Sequence, residues 1–310
     1  MLKGTVGIVG GNGWIGRSIG RAMLRSGFVD PAALVLSSRS GLATGYAEWP
    51  GIRATSDNGE LAQRADVIVL AVRPDQFASV RIDASGKLVV SVMAGVPVAA
   101  LSAATKAGRI VRAMPNAAAE IGRSYTPWYA AAVSSDDKRL VQGLCETFGS
   151  ADEVPREADI DYLTGLTGSG PAFPALLASA MLSHALAQGL APDVARRAVT
   201  GVVAGAGQLV AEQGEPPDMI VRRFMDYRGT TAAGLRAMMD RGFQEAVHAG
   251  LTAAEAAALD MARPFQAKIQ AKIQAKTQTK TRAKIIDAFV DGAVPSTGHA
   301  AAHRAKRENT

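Results

Sequence analysis

The residues best placed to do chemistry come first in the chain. An apolar run, Thr5–Gly10, leads into Gly11-Asn12-Gly13-Trp14-Ile15-Gly16, and helical spacing then carries from Trp14 to Ser26 and stops at Gly27. A glycine-rich turn between a strand and a helix holds a dinucleotide pyrophosphate, because backbone N–H groups and the helix N-terminus both favour an anion there. Gly11 is expected to make the tight turn, Gly13 to let the backbone approach the phosphates, and Gly16 to let the helix pack closely on the strand. The second apolar run, Leu34–Leu36, ends in Ser37, Ser38, Arg39 and Ser40, with no carboxylate to accept from a ribose 2′-hydroxyl. An arginine among hydroxyl donors suits a 2′-phosphate, so NADP(H) is the expected cofactor.

Other reactive side chains are few. Cys145 is the single cysteine, which excludes an internal disulfide and a multi-cysteine zinc site. It lies in an apolar helical stretch and is expected in the core. His184, on an apolar helix, is expected there too. His299 and His303 have H-x-x-x-H spacing, but the glutamate of a zinc-protease motif is missing between them, so no metal is expected.

These residues need a scaffold. Ile52–Thr55, Val67–Val72, Leu88–Val92, Arg109–Arg112 and Trp128–Val133 are further strand candidates, several with helical stretches between them, and Ser135–Phe148 is helical. Alternation of strand and helix predicts a parallel sheet with crossover connections. After about residue 156 the pattern changes to long Ala/Leu/Val/Met stretches at 172–190, 193–213, 217–225, 230–241 and 252–262. The expected fold is an α/β Rossmann-type N-terminal domain (1–156), an all-α dimerisation and substrate domain (157–263) and a basic low-complexity tail (264–310). Several of the helices are apolar around most of their circumference, more than a small domain can bury, and this predicts a homodimer or a higher oligomer.

Charge limits the partners. Lys and Arg total 34 against 28 Asp and Glu, a net +6, and aromatic residues are only 5%. From Pro264 onward nine basic and three acidic residues carry the whole excess, leaving 25 of each sign in the body. A neutral body with few aromatics does not suit nucleic acid. The segment Ala172–Ala191 is broken by Pro174, His184 and Gln188 and fits a buried helix better than a membrane span. With no signal peptide pattern at the N-terminus, a soluble cytoplasmic protein is expected. The tail repeats A-K-I-Q-like units every four residues from Ala267 to Ile286, a period that gives no coiled-coil seam and reads as a solvated helical extension or low-complexity tail.

Five further motifs bear on activity. They are Asp57-Asn58 followed by A-D-V-I-V-L-A-V-R-P (Ala65–Pro74), V-S-V-M-A-G-V (Val90–Val96), R-A-M-P-N (Arg112–Asn116), T-G-L-T-G-S-G-P-A-F (Thr164–Phe173), and G-T-T (Gly229–Thr231) with Ala233–Leu235 after it. In order and spacing, over roughly residues 4–250, they resemble the pyrroline-5-carboxylate reductase family. A competing family, the β-hydroxyacid dehydrogenases, places a catalytic lysine four residues after the last glycine of a similar motif, where this chain has Pro174.

The resemblance implies NADPH-dependent reduction of a cyclic imino acid, 1-pyrroline-5-carboxylate to L-proline. It implies that Ala71, Val72, Arg73, Pro74, Ala94 and Gly95 line the nicotinamide end and that Asn58 faces the cofactor ribose. Asn116 and Ser169 fall near the junction with substrate. Gly229, Thr230 and Thr231 open a helix whose N–H groups can hold the substrate carboxylate, and the Thr231 hydroxyl is the expected partner of the imine nitrogen. The family's S-P-G-G-T-T is D-Y-R-G-T-T here, at Asp226–Thr231, and its M-P-N-T-P-A is M-P-N-A-A-A. Arg228 is expected to add a two-pronged carboxylate contact, and Asp226 to pair with it or act as an acid toward the iminium. Two alternatives stand beside this function: a related imine or oxo-acid reductase with an altered pocket, and a non-catalytic NADPH-binding regulatory protein.

Overall fold

The computed structural model describes residues 2–290. Four strands are short and wholly buried: β1 (Val6–Val9), β2 (Leu34–Ser37), β4 (Val67–Leu70) and β5 (Leu88–Ser91). Their sequences VGIV, LVLS, VIVL and LVVS are near-continuous apolar runs, the composition a parallel strand needs when both faces are covered. With β3 (Arg53–Thr55), β6 (Arg109–Ala113), β7 (Ser124–Ala131) and β8 (Gly149–Glu153) they form an eight-stranded sheet in the order β3-β2-β1-β4-β5-β6-β7-β8. The connections include α1 (Trp14–Arg25), α2 (Asn58–Arg64), α3 (Val98–Thr105) and α4 (Ser135–Glu146).

Helices cover the sheet on both faces. Ile19 and Met23 of α1, and Val141, Leu144 and Cys145 of α4, share one core cluster with Val6, Ile8, Val67, Val69, Leu88 and Val90. Leu61 of α2 packs over Gly7, which points to the other face from Val6 and Ile8. The sheet is not wholly parallel, a correction to the expected pattern: β7 runs antiparallel to β6. The link between them, residues 114–123, holds only a 3₁₀ turn at Ala117–Ile121. A parallel return needs a crossover of a dozen or more residues. A further strand the sequence pattern did not show, β8, pairs with β7 along the sheet edge.

Among the described residues every element from Glu157 on is helical: α5 (Glu157–Leu163), a π-helical turn (Thr164–Gly168), α6 (Ala172–Ala187), α7 (Pro192–Gln213), α8 (Pro217–Asp226), α9 (Gly229–Asp240) and α10 (Phe243–Val290). The α5–α6 stretch Glu157–Ala187 is long and apolar enough to cross a membrane by length and composition. The sequence placed its apolar part in a core, and the single chain does not bury it: α6 has no buried residue, and Leu176 is 72% exposed. His184 is exposed as well, so it is not the core residue expected. Val202, Phe224 and Met238 extend the exposed apolar surface onto α7, α8 and α9. A surface of this kind marks an interaction site.

By internal contacts the chain divides into Met1–Phe265 and Gln266–Thr310, next to Pro264 inside α10. In the second unit the described residues are helical. The His299–His303 pair lies outside the described residues.

Candidate active site: the nucleotide cleft and the helical-region turns

The cleft opens where β1 meets α1. A left-handed residue is needed where the strand ends, and Gly10 supplies it with φ +84°. This corrects the assignment of the tight turn to Gly11. Gly11 instead packs against Leu36, where a Cβ would come 2.8 Å from Cδ2. Gly16 does what was expected of it: a Cβ there would sit 2.5 Å from the Gly10 carbonyl oxygen, so only glycine lets α1 start so close to the strand. The first turn of α1 has no acidic residue and no side-chain cap. Its N–H groups and the positive end of its dipole are left for an anion, which fits a dinucleotide diphosphate.

The cleft has a volume of about 1170 Å³. Of the residues expected to hold cofactor, Asn12, Gly13, Trp14, Ile15, Ser37, Ser38, Arg39 and Asn58 line it, as do Ala71, Val72, Arg73, Pro74 and Ala94. Gly11, Gly16 and Gly95 support it from behind. Gly95 (φ +67°) faces α10, where a Cβ would meet Met261 Cβ at 2.6 Å, so it admits the last helix close to the backbone beside Ala94. Ser40, named with the hydroxyls after β2, lines the cleft too, whereas sequence reasoning missed Val9, Gly10 and Ser56, and also Gln76, Ser79, Val80, Val92 and Met93. Val92 and Met93 adjoin Ala94 in the same motif. Gln76, Ser79 and Val80 lie on a 3₁₀ turn, Pro74–Ser79, and just past it, with no local signal.

The expected 2′-phosphate group changes in detail. The Ser37 hydroxyl is buried and donates to Asn58 Oδ1, and Ser38 Oγ donates to the Leu42 carbonyl at 3.2 Å. Arg39 is exposed at the cleft and has no ion-pair partner among the described residues. It is therefore the group in this set best able to meet a phosphate. Trp14, 58% exposed at the mouth, donates its indole N–H to Glu120 Oε1 at 2.5 Å. That contact spans 106 residues of sequence and pins the 3₁₀ turn after Asn116 to the start of α1.

Asn116 is buried at the junction of sheet and helices. Its Oδ1 accepts from the Ala118 N–H and its Nδ2 donates to the Thr167 carbonyl, both at 2.9 Å. Both ends of the carboxamide are thus engaged inside the chain. Four residues earlier, the side chain of Arg112 is 2% exposed and forms ion pairs with Glu157 (3.0 Å) and Asp161 (2.7 Å) of α5. The glycines of T-G-L-T-G-S-G-P make this junction close: Gly165 lies against the α10 backbone at Glu255, and Gly168 against Met114. Ser169 caps the π turn through its N–H to the Thr164 carbonyl at 3.0 Å. Neither Asn116 nor Ser169 lines the cleft.

The D-Y-R-G-T-T segment joins α8 to α9. Asp226 ends α8, and Gly229, Thr230 and Thr231 form the first turn of α9, all of them exposed. Arg228 holds φ +62° and ψ −163°, a region of backbone space that is essentially glycine-only. No side chain caps this helix, so its N–H groups are open to a carboxylate. None of Asp226, Arg228, Gly229, Thr230 and Thr231 lines the cleft of its own chain. Among the described residues no ion pair joins Asp226 to Arg228, contrary to one of the two roles expected of Asp226. Cys145 is fully buried, and burial, helped by the Glu146 charge, pushes its thiol up to about 12, a core residue as expected. No cluster of metal-ligating side chains occurs among the described residues.

Two family models match separate parts of the chain. The model of the family described as pyrroline-5-carboxylate reductase dimerisation matches residues 157–261, and that of the NADP oxidoreductase, coenzyme F420-dependent, family matches residues 5–95. A pyrroline-5-carboxylate reductase of Bacillus subtilis is 31% identical over 252 residues, 78% of this chain and 89% of that protein. One of Vibrio alginolyticus is 34% identical over 224 residues, 69% of this chain and 82% of that protein. The chain belongs to the pyrroline-5-carboxylate reductase family. A solved Plasmodium falciparum pyrroline carboxylate reductase with NADP bound superposes with a TM-score of 0.75 at 25% identity, covering 84% of this chain and 99% of that one. Members of this family use NADP(H), and the uncapped α1 turn and the exposed Arg39 fit that cofactor here.

Proposed function

We propose that this protein reduces 1-pyrroline-5-carboxylate to L-proline with NADPH as an oxidoreductase acting on a C=N bond. The observation that carries this is a cleft suited to a phosphorylated dinucleotide on a chain of this family. The bound cofactor supplies the hydride. The chain's own residues hold the reactants: the α1 N-terminus takes the diphosphate, Arg39 the 2′-phosphate, and Ala71, Val72 and Ala94 give the nicotinamide an apolar wall. The open first turn of α9 would hold the substrate carboxylate and the Thr231 hydroxyl would hydrogen-bond the imine nitrogen, turning one face of the C=N bond toward the cofactor. An imine already protonated near neutral pH accepts hydride readily, so no strong general acid is required of the chain.

We infer a homodimer built on residues 157–263, with residues 1–156 holding cofactor. The apolar surface of α6 to α9 then packs on the partner copy. Because the α9 turn does not line its own chain's cleft, a second copy is the source of that turn. The neutral body and small-molecule chemistry point to a cytoplasmic enzyme whose partners are its substrate and itself, with no nucleic acid and no membrane.

A second function is favoured by one observation, Arg228 in glycine-only backbone beside that turn. A full positive charge there favours an imine or oxo acid with an extra acceptor group. The test is NADPH oxidation across five- and six-membered cyclic imines and simple oxo acids, with Thr231→Val beside the wild type. Turnover of 1-pyrroline-5-carboxylate above the others, lowered more than cofactor affinity by Thr231→Val, supports the first function. Preference for a more acidic substrate supports the second, and NADPH binding without any turnover refutes both.

A further inference from the structure

We propose that Asn12 is a positioning residue for cofactor selectivity, locking the loop that carries Arg39 onto the glycine-rich turn. It sits at the first variable position of G-N-G-W-I-G, where a contact to cofactor was expected. Its carboxamide turns instead to the β2–β3 connection: Nδ2 donates to the Leu42 carbonyl at 2.8 Å, and Oδ1 accepts from the Thr44 N–H at 3.2 Å. One planar amide thus fills a donor and an acceptor role on residues 30 and 32 positions away.

The segment it grips is a compact unit. The Gly41 N–H donates to the Ser38 carbonyl at 3.1 Å, and Gly41 takes φ +67°. Ser38 Oγ donates to the same Leu42 carbonyl at 3.2 Å, and the Leu42 N–H donates to Ser40 Oγ at 3.4 Å. A turn bonded mainly to itself moves as one piece, and Arg39 moves with it. On its inner side the Ser38 N–H is tied to the Thr55 carbonyl at 3.1 Å, and farther along Tyr46 Oη donates to the Gly11 carbonyl at 3.1 Å. The Gly10 and Gly11 N–H groups hold the end of β2 at the Ser37 carbonyl, at 2.9 and 3.1 Å, and Asn12 is the side-chain tie that holds the far side of the turn carrying Arg39. It sets the distance from the diphosphate site to the guanidinium, which must match the separation of the diphosphate and the 2′-phosphate on one ligand. Losing the tie lowers affinity for the ligand that has a 2′-phosphate and leaves the one without it unaffected.

The inference rests on the assignment of Arg39 to the 2′-phosphate, so the experiment tests both in the full chain. Dissociation constants for NADPH and NADH are measured by calorimetry for wild type, Asn12→Ala, Arg39→Ala and the double variant. Asn12→Ala should weaken NADPH about tenfold, the scale of one or two hydrogen bonds, and leave NADH within twofold. In the Arg39→Ala background the same substitution should weaken NADPH less than twofold, because it acts through Arg39. Equal weakening of both cofactors by Asn12→Ala, or no weakening beside an Arg39→Ala that does lower selectivity, overturns the role of Asn12 alone. Selectivity unchanged by Arg39→Ala overturns the Arg39 assignment and this role with it. Retained NADH binding reports a folded variant, and Asn12→Ser carries the same comparison if Asn12→Ala lacks it.

Discussion

Replacing Arg112 with leucine removes the cation that fastens α5 to β6. The guanidinium side chain is 2% exposed and faces two carboxylates, at 3.0 Å on Glu157 and 2.7 Å on Asp161. Deleting one partner of a buried ion pair strands the other charge, at about 3–5 kcal/mol when the site is fully dry. Here the carboxylates keep some water, being 32% and 17% exposed, and Glu157 Oε1 retains the Val98 N–H at 2.7 Å. Both facts lower the expected loss, to about 2–4 kcal/mol. At roughly 2–4 °C per kcal/mol for a chain of this class, the melting temperature should fall by about 4–16 °C. The assay is thermal unfolding by far-ultraviolet circular dichroism at one fixed protein concentration, since the midpoint of the proposed dimer would depend on concentration. Adding Glu157→Gln and Asp161→Asn to the leucine variant removes the stranded charges and should recover half of the loss or more. A midpoint for Arg112→Leu within 2 °C of wild type, or no recovery in the triple variant, would refute the reasoning.

Arg39→Asp should weaken NADPH binding by about 1–3 kcal/mol, the scale of a lost charged hydrogen bond, while calorimetry with NADH shows little change. Arg228→Gly should stabilise the fold by about 1 kcal/mol, because glycine occupies that backbone region without the usual strain; a lower denaturation midpoint would contradict it. The Cys145 thiol, held neutral by burial, should resist a chromogenic disulfide reagent at pH 8 in the native protein and react at once in denaturant. Ending the chain after Gln266 should leave the light-scattering mass per assembly and the turnover unchanged apart from the lost tail, since the period-four basic segment has no apolar seam with which to pack.

How much of this could be read from the sequence depended on where each residue's partners lie. β1, β4 and β5 were legible because a strand covered on both faces must be apolar throughout. β8, Gly-Ser-Ala-Asp-Glu, buries only Ala151 and is held by backbone pairing with β7, so its side chains carry no pattern. α5 was missed for a like reason, since Ile160 is its only buried residue and its acids serve Arg112. For α6 the apolar composition was legible, and so was its excess over what one small domain can bury; the single chain leaves it exposed. At the site the glycine pattern located one wall of the cleft, because the turn and the helix start are local. The work of Asn12 and Trp14 was not legible. Their partners are Leu42, Thr44 and Glu120, 30 to 106 residues away, and a local motif assigns such side chains to the ligand by default.

The most direct measurement follows the hydride. NADPH deuterated at the transferable C4 position is incubated with 1-pyrroline-5-carboxylate and the full-length protein, and the product is examined by mass spectrometry and NMR. L-proline should form one-for-one with NADPH consumed, carrying a single deuterium at C5. Tight NADPH binding with no labelled proline and no cofactor oxidation would contradict the proposed reduction.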